Sequence, residues 1–255
     1  MVKNSCIFYL VNNNPIHLNR LYSSLQCLTQ NFLDRYPYPV VFGHEGLDQS
    51  TIDKIKSFAP QNHFFHRVDF KLPDYPREIV EQIPFKFKGH WDDNAFFSMG
   101  YRHMCRYFSG EIFKDIFFEN VKYLLRIDCD SYFIDRVEED IFATMQQNNL
   151  KYASVGMEED MDYVVEGLCD FCNQIAPSSK NISKNKMFQT HFELVNFEWF
   201  KGHTYLDFYE KIDKTGNIFI KRWGDAPIKY QAVTRLLREE DVHIFNLPYK
   251  HGGDL

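Results

Sequence analysis

Short apolar runs alternate with helically spaced apolar residues in the first part of the chain. The run from Cys6 to Val11 stops at the turn-prone Asn12-Asn13-Asn14-Pro15, which predicts a buried strand followed by a loop. Similar signals then predict, in order, a helix from Pro15 to Phe32, a strand from Tyr38 to Phe42, a helix from Ser50 to Phe58 and a strand from Phe64 to Val68. This alternation is typical of a parallel sheet with crossover helices.

The pattern continues with a predicted surface crossing from Lys71 to Phe87 and a long helix from about Asp92 to Phe118. A strand from Val121 to Asp128 follows, and its apolar core leads straight into Asp128-Cys129-Asp130. Later elements are predicted as a helix from Glu138 to Asn148, a strand from Tyr152 to Val155, a loop from Pro177 to Lys186 and a helix from Ala226 to Leu237. We therefore expect an α/β fold with a mixed, mainly parallel central sheet flanked by helices.

Composition and charge narrow the class of protein. With 255 residues, 44% of them hydrophobic and 17% aromatic, the chain can bury one continuous core, so residues 1–255 are predicted to form one domain. The formal charge of -6 and the lack of a long basic run argue against non-specific nucleic-acid binding. No apolar stretch approaches the roughly 20 residues that span a bilayer, and no signal-peptide pattern opens the chain. The chain reads as soluble.

The six cysteines lie in apolar segments, as expected for free thiols of a reducing compartment. Cys169 and Cys172 form a single C-x-x-C pair without a second pair nearby. A structural role for these two thiols is favoured over a zinc or redox site.

Asp128 and Asp130 are the first candidates for chemistry. They follow a buried strand, and ligands bind at the carboxyl ends of strands in open α/β sheets. Two carboxylates separated by one residue can hold a divalent cation, which would neutralise the charge on a departing diphosphate. The same D-x-D pattern also occurs in ordinary surface turns, and the sequence leaves both readings open.

Three further side chains carry candidate chemistry, each with a structural alternative. Glu198 lies among aromatic residues and is either a functional carboxylate or an exposed acid at the start of a helix. Asp225 is either functional or the cap of the helix from Ala226 to Leu237. His251 is near the end of the chain and is either a metal ligand or an inert imidazole.

Arg102 and Arg106 lie one turn apart on the predicted long helix. Their guanidinium groups can face a phosphate or buried carboxylates. A structural salt bridge is the favoured reading, with donor binding by Arg102 as the alternative.

Three motifs in order carry a resemblance to a known family. They are Tyr101-Arg102-His103-Met104-Cys105-Arg106-Tyr107-Phe108-Ser109-Gly110, then Asn196-Phe197-Glu198, then Arg222-Trp223-Gly224-Asp225-Ala226-Pro227. Together they resemble the α-1,2-mannosyltransferases of glycosyltransferase family 15, known from fungal protein mannosylation. The likeness covers most of the chain, from the first strand to Lys250-His251.

The resemblance implies a GT-A fold, a GDP-mannose donor, Mn²⁺ and transfer of mannose with retention of anomeric configuration. By position, Asp128 matches the family's metal-binding glutamate and His251 its metal-binding histidine. Tyr101 matches a tyrosine at the donor phosphates, and Glu198 matches the proposed catalytic acid residue. Asp225 matches a motif aspartate expected near the acceptor or the sugar.

The chain departs from the family pattern at three places. Asp128-Cys129-Asp130 replaces the usual Glu-Pro-Xaa, so Asp130 is expected either to share the metal contact or to take it over. Asn12-Asn13 stands where the family tends to have Arg-Asn beside the nucleotide, which removes one positive donor contact. His251 is followed by Gly252-Gly253 rather than Pro-Pro and a longer tail. The lack of an anchor and stem favours a soluble intracellular or virus-encoded form, or a Golgi-lumen enzyme if the chain is a truncated piece.

These expectations combine into one hypothesis. Residues 1–130 bind the nucleotide sugar, residues 131–255 bind the acceptor, and Mn²⁺ on Asp128, Asp130 and His251 binds the diphosphate. Glu198 either attacks to form a covalent glycosyl intermediate or stabilises charge while the acceptor enters on the leaving-group face. The acceptor is a mannoside or glycan hydroxyl, with an α-1,2 linkage. The alternatives are a transferase of another nucleotide sugar, such as a UDP-sugar, and an inactive carbohydrate-binding relative.

Overall fold

A computed structural model describes residues 2–88 and 96–255 of the chain. The strands of this part are β1 (Ser5–Leu10), β2 (Val40–His44), β3 (His63–Arg67), β4 (Phe87–Lys88), β5 (Phe96–Phe97), β6 (Tyr123–Ile127), β7 (Ser131–Phe133), β8 (Tyr152–Ser154), β9 (Met157–Glu159), β10 (Lys186–Phe188), β11 (Phe192–Asn196), β12 (Val242–Ile244) and β13 (Tyr249–His251).

Helices surround these strands. They are α1 (Pro15–Leu28), α2 (Gln49–Phe58), α3 (Arg77–Val80), α4 (Met99–Ser109), α5 (Ile141–Gln147), α6 (Leu168–Ile175), α7 (Phe197–Phe200), α8 (His203–Asp213), α9 (Asn217–Ile220) and α10 (Asp225–Leu236). A π-helical turn, Thr29–Leu33, extends α1. None of the helices in the described ranges is both long and apolar enough to cross a membrane.

The central sheet has seven strands in the order β12-β8-β11-β6-β1-β2-β3. Strands β6, β1, β2 and β3 are parallel neighbours, and β12 is parallel to β8. Only β11 runs against its neighbours β6 and β8 in this sheet. The predicted α/β fold with a mixed, mainly parallel sheet is confirmed.

Both faces of the sheet are covered, which explains why the strands of its centre are almost continuously buried. On β6, Leu124 faces a core with α4 and α10, whereas Leu125 faces a second core with α1 and α5. Successive side chains of a strand point to opposite faces, so any polar residue within β6 or β11 must be buried in one of these cores. Arg126 and Glu193 are two such residues.

The early strands and helices confirm the sequence prediction closely, but the long helix is shorter than predicted. Helix α4 ends at Ser109, followed by the 3-10 turns Glu111–Lys114 and Ile116–Phe118. A Cβ atom on Gly110 would lie 2.1 Å from the ring of Tyr209, so only glycine allows α8 to approach here. The predicted start near Asp92 lies outside the described residues.

Candidate active site

A cleft of about 500 Å³ opens at the carboxyl ends of β1, β2 and β6, and we call it the main cleft. The loops that follow parallel strands meet at this edge of the sheet, as expected for a ligand site in an α/β fold. The amino end of α4 forms the facing wall. Residues that line the main cleft include Asn12, Asn13, Arg20, Tyr101, Asp128 and Asp130.

The three predicted metal ligands lie at this edge. Asp128 follows β6, and β13 pairs with β7 so that His251 is opposite Ser131. The Nδ1 atom of His251 is 3.6 Å from Oδ1 of Asp130 and 3.3 Å from Oγ of Ser131. The strand pairing therefore shows that His251 is not frayed, and its role as a metal ligand stays a prediction.

These side chains do not form a finished ligand set. In the ranges 2–88 and 96–255, no group of three or more His, Cys, Asp or Glu side chains is arranged to hold a metal ion. Asp130 instead shares its carboxylate between His251 and the guanidinium of Arg20, whose Nη1 atom is 3.6 Å from Oδ2. Desolvation raises the pKa of the Asp128 carboxyl, against the opposing effects of Arg126 and His251.

A buried ion network continues from Asp128 into the core. Arg126 of β6 is 3% exposed, and its Nε atom lies 3.3 Å from Oδ1 of Asp128. Its Nη1 atom donates to Oδ2 of Asp225 at 2.5 Å, and its guanidinium lies over the ring of Phe108. Burial would raise the pKa of the Asp225 carboxyl, but the charges of Arg126 and Lys229 hold this pKa below its usual value.

The capping interpretation of Asp225 is wrong. Gly224 is the N-cap of α10, and Asp225 is the first helical residue. Its carboxylate bonds with Arg126 rather than with the helix backbone. Asp225 therefore connects α10 to β6, and its catalytic role stays a prediction.

The sequence analysis missed Glu193. This residue lies in β11 directly opposite Arg126 of β6, and it is 3% exposed. Its two carboxylate oxygens accept hydrogen bonds from Nζ of Lys229 at 2.8 and 2.9 Å. The apolar pair Leu194-Val195 was the signal that could have revealed it, because consecutive apolar residues indicate a strand buried on both faces and Glu193 shares a face with Val195.

Glu198 is at the wrong end of the sheet for the predicted catalytic role. Strand β11 starts beside Ile127 at the carboxyl end of β6 and finishes with Asn196 beside Tyr123. Glu198 comes after that finish, exposed in the first turn of α7. The structure therefore corrects this assignment in favour of the exposed helix-start acid.

Arg102 is not a donor-binding residue in this structure. It is fully buried, and its guanidinium donates hydrogen bonds to the backbone oxygens of Phe219, Pro84 and Phe85. Arg106 forms the structural salt bridge that was favoured, with both oxygens of Asp213 at 2.8 Å.

Tyr101, in contrast, lines the main cleft. Its hydroxyl accepts a hydrogen bond from Nη2 of Arg222 at 2.7 Å, and Nη1 of Arg222 donates to Asp160 at the same distance. Arg222 has a positive φ of 60°, an uncommon conformation for a residue other than glycine. The position of Tyr101 thus agrees with a role at the cleft, which the geometry alone leaves as a prediction.

The cysteines form no disulfide in the described part of the chain. Cys169 and Cys172 are buried in α6, where Nη2 of Arg235 is 3.7 Å from Sγ of Cys169. Burial raises the pKa of the Cys172 thiol to about 12. An unreactive thiol of this kind agrees with the structural interpretation.

The chain is similar to several fungal proteins. It is 26% identical to the probable mannosyltransferase MNT3 of Candida albicans. This alignment spans 267 residues and covers 97% of this chain and 70% of that relative. It is 24% identical to the glycolipid 2-alpha-mannosyltransferase of Saccharomyces cerevisiae. That alignment spans 280 residues and covers 97% of this chain and 60% of the relative. The chain thus spans only part of the length of these relatives.

Solved structures share the fold. Core-mannan synthase A (CmsA/Ktr4) of Aspergillus fumigatus, in its Mn/GDP form, matches with a TM-score of 0.85 at 22% identity, over 98% of this chain and 75% of that one. The mannosyltransferase Ktr4p of Saccharomyces cerevisiae in complex with GDP matches with a TM-score of 0.80 at 22% identity, over 97% and 71% of the two chains. The fold is therefore of the predicted GT-A type. The sequence model of glycosyltransferase family 15, described as glycolipid 2-alpha-mannosyltransferase, matches residues 1–254, and the chain belongs to this family.

Proposed function

We propose that this protein is a metal-dependent retaining glycosyltransferase that moves mannose from GDP-mannose to a hydroxyl of a mannoside or glycan, with an α-1,2 linkage. The observation that carries the proposal is that Asp128, Asp130 and His251 all lie at the carboxyl edge of a family 15 sheet, with Asp130 and His251 3.6 Å apart. Residues 1–130 bind the nucleotide sugar, and residues 131–255 bind the acceptor. The Mn/GDP form of core-mannan synthase A supports the choice of metal and nucleotide.

The donor set suits the metal. Carboxylate oxygens and a neutral imidazole nitrogen are ligands that Mn²⁺ accepts. Asp128, Asp130 and His251 would hold the cation, which supplies positive charge for the diphosphate leaving group. Arg20, which lines the main cleft and already contacts Asp130, adds a second positive charge on that side. Tyr101 offers a hydroxyl on the opposite wall, held by Arg222.

Glu193 takes the catalytic position that the sequence assigned to Glu198. Its side chain is buried and lies opposite Arg126, whose guanidinium also contacts Asp128. Fixed charges in a water-excluded site stabilise developing charge more strongly than exposed ones. Either as a nucleophile or as a charge-stabilising group, Glu193 would act on the sugar's anomeric carbon, while Asp225 holds Arg126 in place.

A donor screen tests the function. The protein is incubated with Mn²⁺, methyl α-mannoside and either GDP-mannose or UDP-sugars, and products are identified by mass. We expect a mannosylated product with GDP-mannose and none when a chelator is present. Transfer from a UDP-sugar would show that GDP-mannose is not the donor. If neither transfer nor donor hydrolysis is detected under any condition, the result favours the inactive carbohydrate-binding relative.

A further inference from the structure

One buried hydroxyl lies beside the proposed catalytic acid and has no hydrogen-bond partner. Tyr152 is the first residue of β8, and its side chain is fully buried. Among the tyrosines in the described ranges, only Tyr152 has a buried hydroxyl that neither donates nor accepts a hydrogen bond. Leaving such a group without a partner costs stability, so most buried hydroxyls are paired. The exception at Tyr152 makes this hydroxyl a candidate for a contact that forms during the reaction.

The strand register places Tyr152 on the same face of the sheet as Glu193. In the antiparallel pairing of β8 with β11, Tyr152 is opposite Val195 and Ser154 is opposite Glu193. Opposite residues share a face, and so do residues two apart in one strand. Tyr152 and Glu193 are thus diagonal neighbours, a separation that an aromatic side chain can bridge. Burial, followed by the charge of Glu193, raises the pKa of the Tyr152 hydroxyl, as expected for a donor close to a carboxylate.

The Glu193 carboxylate can accept more hydrogen bonds than it receives within the described chain. Both of its oxygens accept from Nζ of Lys229, at 2.8 and 2.9 Å. The guanidinium of Arg126, directly across on β6, instead bonds with Asp225. A carboxylate has about four lone-pair sites, so Glu193 retains unused acceptor capacity. Tyr152 therefore has a donor without an acceptor, and Glu193 is the acceptor beside it.

The ring of Tyr152 is held in place by aromatic packing. Its centroid lies 4.6 Å from that of Phe188 and 6.2 Å from that of Phe200. The backbone of β8 is fixed as well, because β8 pairs with β11 on one side and with β12 on the other. The hydroxyl oxygen therefore has a fixed position, and movement of the Glu193 side chain toward it would complete the hydrogen bond. Glu193 has the rotatable side-chain bonds that such a movement needs.

We propose that Tyr152 is a positioning residue that donates its hydroxyl hydrogen to the Glu193 carboxylate while this acid acts on the sugar. The inference rests on the proposed function, since it concerns the acid of that same reaction. Lys229 holds the carboxylate from α10, and Tyr152 supplies a second donor from β8 when one oxygen moves away from Lys229. Hydrogen bonds to the ionised form keep a carboxylate charged and oriented in a water-excluded site, which both roles open to Glu193 require.

The test removes only the hydroxyl. In Tyr152→Phe we expect kcat for mannosyl transfer to fall about tenfold with little change in KM for GDP-mannose, because a hydrogen bond to a charged group is lost after the donor has bound. The urea concentration at half unfolding should be unchanged or higher, since a buried hydroxyl without a partner has been removed. A merely structural tyrosine would show the reverse, with lower stability and normal kcat.

Tyr205→Phe is the matched control. Tyr205 is fully buried in the same core as Tyr152, but its hydroxyl donates to the backbone oxygen of Ser109 at 2.5 Å. Its removal should therefore lower the urea concentration at half unfolding and leave kcat unchanged. Normal kcat in Tyr152→Phe, or the same response in the two variants, would overturn the proposal.

A double variant tests whether Tyr152 acts through Glu193. In the Glu193→Gln background, Tyr152→Phe should not lower kcat further, because residues that act as a unit have non-additive effects. A second tenfold loss would place the action of Tyr152 elsewhere and overturn the assignment. Failure of the proposed function is distinguishable from both results, since the unmodified protein would then transfer no mannose in the donor screen and this inference would fall with it.

Discussion

Glu193 and Glu198 are close in the sequence but have opposite environments. Glu193 is enclosed between β6 and α10 with Lys229 as its partner, whereas Glu198 is exposed at the far edge of the sheet. Strand β11 runs from the carboxyl end of β6 to its amino end. Glu193 at its start and Glu198 after its last residue therefore lie at opposite edges of the sheet. A catalytic assignment therefore depends on where β11 starts, which motif spacing alone does not define.

The first prediction compares these two acids. Glu193→Gln should lower kcat for mannosyl transfer about 100-fold or more, because the amide cannot act as a nucleophile or as a negative charge. Glu198→Gln should change kcat by less than about twofold, since its side chain is exposed. Steady-state kinetics with GDP-mannose and methyl α-mannoside measure both. A larger loss in the Glu198 variant would restore the sequence assignment.

Unfolding must be separated from catalysis in this comparison. Glu193→Gln leaves the buried ammonium of Lys229 with a weaker partner, so some loss of stability is expected. Thermal unfolding of both variants identifies the temperature at which each is fully folded, and kinetics are measured below it. A folded Glu193 variant with normal kcat would contradict the assigned role.

At the scale of secondary-structure elements, the long and regular strands and helices could be predicted from the sequence. The strands β1, β2 and β6 are mainly apolar and β3 contains the pair Phe64-Phe65, whereas α1, α2 and α10 have helical spacing or clear breakers, so the positions of these elements could be predicted. Strands β7 and β13 have three residues each, too short for a periodic signal. Strand β11 was missed because Glu193 interrupts its apolar character, although the buried partner Lys229 is what makes that acid tolerable.

Some residues of the candidate site could be predicted from the sequence, and others could not. Asp128 and Asp130 could be placed because they follow a recognisable strand, and the carboxyl end of such a strand is a ligand edge. The arginines of α4 could not be assigned from spacing alone. Arg102 faces backbone oxygens of distant segments, and those contacts exist only after the chain has folded.

The second prediction concerns the end of α4. Gly110→Ala would place a methyl group against the ring of Tyr209, which the packed α8 cannot easily move. We expect a loss of about 1–3 kcal/mol in the free energy of unfolding, measured by urea denaturation. Gly100→Ala on the same helix meets only Ser98 Oγ at 3.7 Å and should be neutral or slightly stabilising. Equal effects at the two glycines would show that close packing is not the cause.

At the scale of the whole molecule, one ion network joins two neighbouring strands of the central sheet, β6 and β11, to α10. Arg126 of β6 bonds with Asp225 of α10, and Glu193 of β11 bonds with Lys229 of the same helix. These pairs lie where the strands from the two predicted halves meet. Protonation of one member should therefore affect the stability of the entire fold, and not of one loop.

The third prediction follows from the lowered pKa of Asp225. A carboxyl whose pKa is lower in the folded than in the unfolded protein stabilises the fold above its unfolded pKa. That contribution is lost as the pH falls through the folded pKa. Asp225→Asn should cost about 3 kcal/mol in the free energy of unfolding near neutral pH, because Arg126 loses its buried partner.

The dependence on pH distinguishes this effect from a simple loss of packing. The stability difference between the unmodified protein and Asp225→Asn, measured by urea denaturation, should be largest at neutral pH and shrink as the solution is acidified below the unfolded pKa of Asp225. Asp241 also has a lowered pKa, mainly because of its hydrogen bond with Arg238. It is present in both proteins, so its contribution to the dependence on pH cancels in the difference. A difference that stays constant down to strongly acidic pH would mean that the Asp225 carboxylate does not stabilise the fold through its charge.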